Sequence, residues 1–220
     1  MIVLAVDTAT ADESVAVLRD ETLLAEVRLG ATDTHSTRLL PAIEFLLASV
    51  QLAPTQLDGL AVTAGPGSFT GLRVGLSTVQ GLALAADRPC WPACTLDVLA
   101  ARVAGAAAHL VPLMDAFRGE VYSARYDVDG AREEGPLVSA PEPWLRALPP
   151  GCAFYGDAVA AQRPLIELVC AAPVFPRRSL FLASTLGRLG WRALAAGEGV
   201  PAAQLRPLYL REPTIRGATP

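Results

Sequence analysis

The chain has 220 residues, 52% of them apolar and 18% charged, with 18 Lys or Arg against 22 Asp or Glu and a formal net charge of −4. That length buries roughly 70% of the unfolded surface, so a full core is available, and disorder or a collagen-like repeat is excluded. The acidic balance speaks against a nucleic-acid binder that works by broad phosphate neutralisation, so any RNA role must be local or act through a partner.

The opening Ile2 to Asp7 is a continuous apolar run closed by an acid, followed by Ser14 to Leu18, a polar turn and Thr22 to Leu29. These read as three strands joined by tight turns. From Thr34 to Val50 the apolar positions Leu39, Leu40, Ile43, Leu46, Leu47 and Val50 share one helical face. Pro41 predicts a kink there, or a helix that begins near Arg38. Leu57 to Thr63 reads as a strand, Ser68 to Ala86 as a second helix, Cys90 to Ala93 as a short strand and Leu96 to Ala108 as a helix. The pattern then restarts. His109 to Met114, Gly119 to Val128 and Glu134 to Ser139 are strand-like, Trp144 to Leu148 helical and Cys152 to Tyr155 extended, with helices over Val159 to Val169 and Leu180 to Ala196. Two groups of three strands, each followed by mixed elements, predict a duplicated α/β architecture. Its lobes are residues 1–103 and 104–220, with the last segment able to pack back on the first lobe.

Every basic side chain is Arg, because the sequence holds no Lys and no Asn. This removes a catalytic Lys, a Schiff base and a Lys-bearing phosphate loop from consideration. Cys90, Cys94, Cys152 and Cys170 lack both C-x-x-C spacing and the density of a secreted framework. With an apolar strand starting directly at the first residues, a cytoplasmic location is expected. Arg102 and His109 interrupt the most apolar stretch, so no membrane span is expected.

Three segments are candidates for function. Gly65-Pro66-Gly67-Ser68, leading to Gly71, is a Gly-rich turn between a strand and a helix that Ser68 is placed to cap. Such a turn can cradle a phosphate, but without a Lys or a Walker pattern a rigid strand-to-helix corner is the favoured reading. The helix beyond it has two non-polar rows, one of Phe69, Leu72, Leu76, Val79, Ala83 and Ala86, the other of Gly71, Gly75, Thr78, Leu82 and Ala85. A helix with two such faces must be covered twice. Either the protein's own sheet and first helix supply both covers, or the two helices together present Leu39, Leu46, Leu72 or Val79 to another subunit. Finally, Asp115 to Tyr122 joins a strand to a hairpin through charged residues, and a turn pair between Asp115 and Arg118 is its plainest reading.

Catalytic groups are scarce. His35 and His109 are the only histidines, and neither stands in an H-E-x-x-H or Cys/His arrangement, so no metal site is expected. Asp7, Thr8 and Thr10 occupy the strand-end position where sugar-kinase and actin-like folds hold nucleotide phosphate. Ala9 stands where that turn favours Gly, and Asp12 and Glu13 add repulsion. The site reads as a degenerate nucleotide site.

These residues resemble the TsaB (YeaZ) family along nearly the full length. The resemblance is carried by Asp7 to Thr10, His35 to Pro41, Gly65 to Arg73 with its continuation to Ala83, Asp115 to Tyr122, and Pro207 to Arg211. It implies a two-lobed actin-like (ASKHA, ribonuclease H-like duplicated) fold. It also implies a non-catalytic subunit paired with TsaD, the transferase that forms N6-threonylcarbamoyladenosine at position 37 of tRNAs reading ANN codons. The family's interface uses the first two helices, which assigns His35, Leu39, Leu40, Ile43, Leu46, Leu47, Leu72, Gly75, Leu76, Val79 and Leu82 to the partner. The catalytic paralogue carries H-x-x-x-H, whereas this chain has His35 followed four residues later by Leu39. ATP and metal are therefore expected on partner subunits. A TsaE-like ATPase is expected to join through the complex, tRNA to be engaged indirectly, and a homodimer to form when the chain is alone. Arg177, Arg178, Arg206, Arg211 and Arg216 are candidates for RNA contact by charge only. The rival expectations are a nucleotide-dependent transferase or kinase of the same fold, and a self-associating regulatory module.

Overall fold

A computed structural model describes residues 1–30 and 35–210, the side chains of His35 and Ser36 excepted. Strands β1 (Ile2–Asp7), β2 (Glu13–Arg19) and β3 (Thr22–Leu29) form an antiparallel meander. Helix α1 (His35–Ser49) follows, then β4 (Gly59–Gly65) parallel to β1, α2 (Phe69–Ala86), β5 (Cys90–Cys94) parallel to β4, and α3 (Thr95–Arg102). The second half repeats the plan. Strands β6 (His109–Asp115), β7 (Val121–Asp127) and β8 (Arg132–Ser139) form a meander, α4 (Pro141–Arg146) leads to β9 (Ala153–Tyr155) parallel to β6, and α5 (Val159–Val169) and α6 (Ala183–Ala195) follow. The sheets run β3-β2-β1-β4-β5 and β8-β7-β6-β9, so in each a three-strand meander is extended by a parallel strand beside its first member.

Strand alternation divides the first sheet between two cores. Leu4, Val6, Val15, Val17, Leu60 and Val62 face α1 and α2, and their cluster includes Leu39, Ile43, Leu46, Leu47, Leu76 and Val79. Val3, Ala5, Ala16, Leu18 and Ala61 face the other way, in a cluster that takes in Leu182, Leu186 and Leu194 and continues through α3 to Leu110, Tyr126 and Tyr155 of the second sheet. Helix α6 thus lies on the first sheet although it belongs to the second half of the chain. The division between residues 103 and 104 falls in the link from α3 to β6. Small residues let α6 approach: a Cβ on Gly190 would stand 2.5 Å from Ala61 Cβ, and one on Gly187 would meet the Leu18 side chain.

Several boundaries differ from expectation. Helix α1 starts at His35 and is continuous through Pro41, which lies on its exposed side, so the late start near Arg38 is not found. Helix α3 ends at Arg102 rather than Ala108, because Val103 leaves the helical region and Gly105, at φ +82°, turns to donate its N–H to the Val128 carbonyl. Helix α4 starts at Pro141, whose fixed φ and missing donor suit the first helical turn. No helix among the described residues is long and apolar enough to cross a membrane.

Candidate functional site

At the end of β1 the Asp7 carboxyl is fully buried, with Oδ1 accepting from Thr63 Oγ1 at 2.8 Å and from the Ala9 N–H at 3.2 Å. Burial is the main cause that pushes its pKa up to about 6; the Thr63 hydroxyl and the Ala9 and Leu182 amides pull it back, and Glu13 adds repulsion. Beside it the start of α6 has no cap of its own. The Leu182 amide lies against Asp7, the Ala183 N–H donates to Ser14 Oγ at 3.1 Å, and the Ser184 N–H donates to Glu26 Oε1 at 3.1 Å. Side chains from β1, β2 and β3 therefore satisfy donors that a helix start otherwise leaves open.

The Gly-rich turn is occupied as well. A Cβ on Gly67 would stand 2.4 Å from the Ala9 carbonyl oxygen, one on Gly71 2.1 Å from the Thr8 carbonyl oxygen, and one on Gly75 2.3 Å from Thr8 Oγ1. The Ser68 N–H donates to the Ala9 carbonyl at 2.8 Å, Ser68 Oγ caps the Gly71 N–H at 3.2 Å, and Thr8 Oγ1 donates to the Gly71 carbonyl at 2.7 Å. The returning chain closes the remaining side. The Leu208 N–H donates to the Ala64 carbonyl at 2.7 Å, a Cβ on Gly65 would stand 2.4 Å from the Leu208 carbonyl oxygen, and Tyr209 stacks on Phe69 with centroids 5.8 Å apart. Gly65-Pro66-Gly67-Ser68 is thus a corner packed by its own chain. The Ser68 and Gly71 N–H groups and the near sides of Gly65, Gly67 and Gly71 are taken up by protein, so this corner does not fit a nucleotide phosphate. The described residues contain no group of three His, Cys, Asp or Glu placed to hold a metal ion.

The face read as the partner surface needs correction. Leu39, Ile43, Leu46, Leu47, Leu72, Leu76 and Val79 are all at most 7% exposed and Gly75 is buried, so these side chains build the protein's own core and cannot reach another molecule. The helix pattern gave the inner side because the same apolar spacing serves a core and an interface. Leu40, at 46% exposure, is open, and Leu82 is half-buried against the core. The His35 side chain lies outside the described residues. The outward apolar groups are others, Phe45 on α1 at 67% exposure with Phe69 at 44% and Leu84 at 63% on α2. Phe69 stands in the main row of α2 but at its open first turn, whereas periodicity passed over Phe45 and Leu84 because they stand off that row. Gln80 of α2 donates Nε2 to the Ala202 carbonyl at 2.9 Å.

The Asp115 to Arg118 turn also differs. Asp115 Oδ1 accepts from the Phe117 N–H at 2.8 Å, and the Asp115 N–H donates to Asp157 Oδ1 at 3.1 Å; no ion pair joins Asp115 to Arg118. Phe117, Arg118 and Gly119 all have φ near +60° to +80°, which turns the Phe117 and Arg118 side chains outward.

Two sheets of one strand plan, a buried acid at the end of the first strand and a Gly-rich corner facing it define a two-lobed actin-like α/β protein. A family model described as TsaD, tRNA N6-adenosine threonylcarbamoyltransferase, matches residues 29–204. The structure of YeaZ from Pseudomonas aeruginosa superposes with a TM-score of 0.80 at 32% identity, covering 95% of this chain and 99% of that one. The Bacillus subtilis protein named tRNA threonylcarbamoyladenosine biosynthesis protein TsaB is 36% identical over 126 residues, 57% of this chain and 55% of that protein. A Mycobacterium leprae relative is 34% identical over 222 residues, 99% of this chain but 57% of its own length. The chain therefore spans little more than half the length of these two curated relatives. In fold alone it also resembles the activator of 2-hydroxyisocaproyl-CoA dehydratase from Clostridium difficile, with a TM-score of 0.55 at 9% identity over 90% of this chain and 97% of that one. The chain belongs to the TsaB/YeaZ family.

Proposed function

We propose that this chain acts in the formation of N6-threonylcarbamoyladenosine on tRNA, as a non-catalytic subunit that pairs with a TsaD-type transferase through the outer sides of α1 and α2. The observation that carries this reading is the group of large apolar side chains left open on those helices, Leu40, Phe45, Phe69 and Leu84. Large apolar side chains exposed on two adjacent helices favour a protein contact. The packed corner at Gly65 to Gly71 supports a supporting role over the nucleotide-dependent transferase, because the Ser68 N–H is already spent on the Ala9 carbonyl and the Gly71 N–H on Ser68 Oγ. In this reading ATP and metal belong to the partner subunits, a TsaE-like ATPase joins through the complex, and tRNA is brought in by the assembly.

An interface of ordinary size buries on the order of 1,600 Å² in total. The test is size-exclusion chromatography of this chain mixed with a TsaD-type transferase, followed by tRNA modification with each component omitted in turn. Co-elution, with modification lost when this chain is left out, is the expected result. Full modification without the chain overturns the proposal. Calorimetry with ATP and Mg²⁺ tests the rival, which requires tight binding and turnover by the chain alone. Self-association that vanishes when the transferase is added is the behaviour expected of the same apolar side chains meeting their own copy.

A further inference from the structure

Arginines far apart in sequence gather around α5, α3 and α6. A cavity of about 500 Å³ is lined by Arg163, Arg177 and Arg178 above Phe154, Tyr155 and Phe175. A second, of about 390 Å³, is lined by Arg102, Arg178, Arg188 and Arg192 with Thr185 and Asp129. Arg178 lines both, so the two hollows make one cationic track on a chain whose net charge is −4. Burial pushes the Tyr155 hydroxyl above its ordinary value, and the nearby charges of Arg102 and Arg178 pull it only part of the way back.

Part of this charge is already matched. Arg163 pairs with Glu167 and Arg192 with Glu21, each at 2.8 Å. Arg102 Nη2 donates to Ser179 Oγ at 3.2 Å, while its buried Nε has no acceptor. Arg177, Arg178 and Arg188 are exposed and have no ion-pair partner among the described residues. Three open guanidiniums beside a buried orphan donor repel one another, and an anion with several phosphate groups relieves that repulsion while matching the guanidinium fork.

We infer that this track holds the phosphate backbone of a structured RNA, an inference that rests on the tRNA reading above. The ring faces argue against a lone nucleotide. Phe154 and Tyr155 are 1% and 4% exposed, and Phe175 is covered by the Arg163 guanidinium 4.2 Å from its centroid, so no face is left for a base to stack on. The open charges come from the segment before α6 and from α6 itself and line two hollows that share Arg178, which suits more than one phosphate. Helix α6 also packs on the side of the first sheet opposite α1 and α2, so RNA and a protein partner bind without competing.

The test compares the wild-type chain with R177Q/R178Q/R188Q, and with R118Q as an exposed control, in fluorescence anisotropy with an unmodified tRNA transcript. Each is measured alone and mixed with the transferase, over a range of salt. The expected result is binding weakened about tenfold or more in the triple variant, with the slope of log affinity against log salt smaller by about two to three. Thermal unfolding and co-elution with the transferase stay unchanged, as does R118Q. Equal affinity and slope in the triple variant overturn the inference. So does loss of ATP or tripolyphosphate binding with RNA binding intact, which makes the track a small-anion site. Failure of the wild-type chain to co-elute with the transferase defeats the subunit proposal instead, and leaves the anisotropy of the isolated chain to decide this one.

Discussion

The two faces of the first sheet are built by opposite means. Toward α1 and α2 the strands present Leu4, Val6, Val15, Val17, Leu60 and Val62 to leucine-rich helices, and large side chains fill the gap. Toward α6 they present Ala5, Ala16 and Ala61 beside Val3 and Leu18, and the helix answers with Gly187 against Leu18 and Gly190 against Ala61, so the helix comes close to the sheet. The first face gains its stability from volume. The second adds polar clasps at Asp7, Ser14 and Glu26, which position the start of α6. A helix that reaches the sheet from the far half of the chain is thereby fixed in register by hydrogen bonds that packing of small residues alone does not specify.

The largest effects expected come from the packing on each face, with opposite signs of volume. On the filled face L46A removes a side chain with 0% exposure and is expected to cost about 2–5 kcal/mol, through lost transfer energy plus the cavity left behind. On the close face the damaging change is an addition: G190A brings a Cβ to 2.5 Å from Ala61 Cβ, at an expected cost of about 1–3 kcal/mol. Urea unfolding of both variants checks the contrast. If G190A is neutral, α6 stands off the sheet and the comparison between the faces fails.

The next effect belongs to the clasp. Asp7 has its pKa raised from 3.8 to about 6 in the folded chain, so between these values the native state binds the proton more tightly than the unfolded one. Its contribution is therefore fully present below about pH 4 and is lost as pH rises through about 6, a fall of about 3 kcal/mol by pH 7. D7N is expected to remove that segment of the pH profile, measured as unfolding free energy at half-unit steps from pH 4 to 7. An identical slope in D7N and wild type shows that other groups set it. One step smaller, S14A deletes the acceptor for the Ala183 N–H and is expected to cost about 1 kcal/mol, as loss of a helix cap does. Faster amide exchange confined to the start of α6 is the local signature.

How far the sequence reveals this molecule depends on the range of the signal. The meander of β1 to β3, its repeat in β6 to β8, the Ser68 cap and the span of α5 were legible because alternation, periodicity and capping act within a few residues. The direction of α2 was not. Its apolar row at Leu76, Val79 and Ala83 looks the same whether the neighbour is β4 or another molecule, and only the closed fold shows that the sheet takes it. The turn at Gly67 and Gly71 was rightly read as a corner, but the reason for its glycines, contact with Ala9 and Thr8, lies some sixty residues away in sequence. The arginine track is equally hidden, since Arg102, Arg178 and Arg188 meet only when α6 returns to the first sheet.

The smallest expected change in stability is also the most telling for function. F45S and L84S alter side chains that are 67% and 63% exposed and make no part of either core, so each is expected to shift unfolding free energy by no more than about 0.5 kcal/mol. If the outer sides of α1 and α2 meet the transferase, these same variants should elute apart from it, while L46A, destabilised but with its outer face intact, should still co-elute below its melting temperature. The pairing of outcomes separates the two layers of the helix pair. Loss of binding in the stable variants places the contact on the open side chains, whereas retained binding in both F45S and L84S moves the partner to another surface and removes the observation on which the subunit proposal stands.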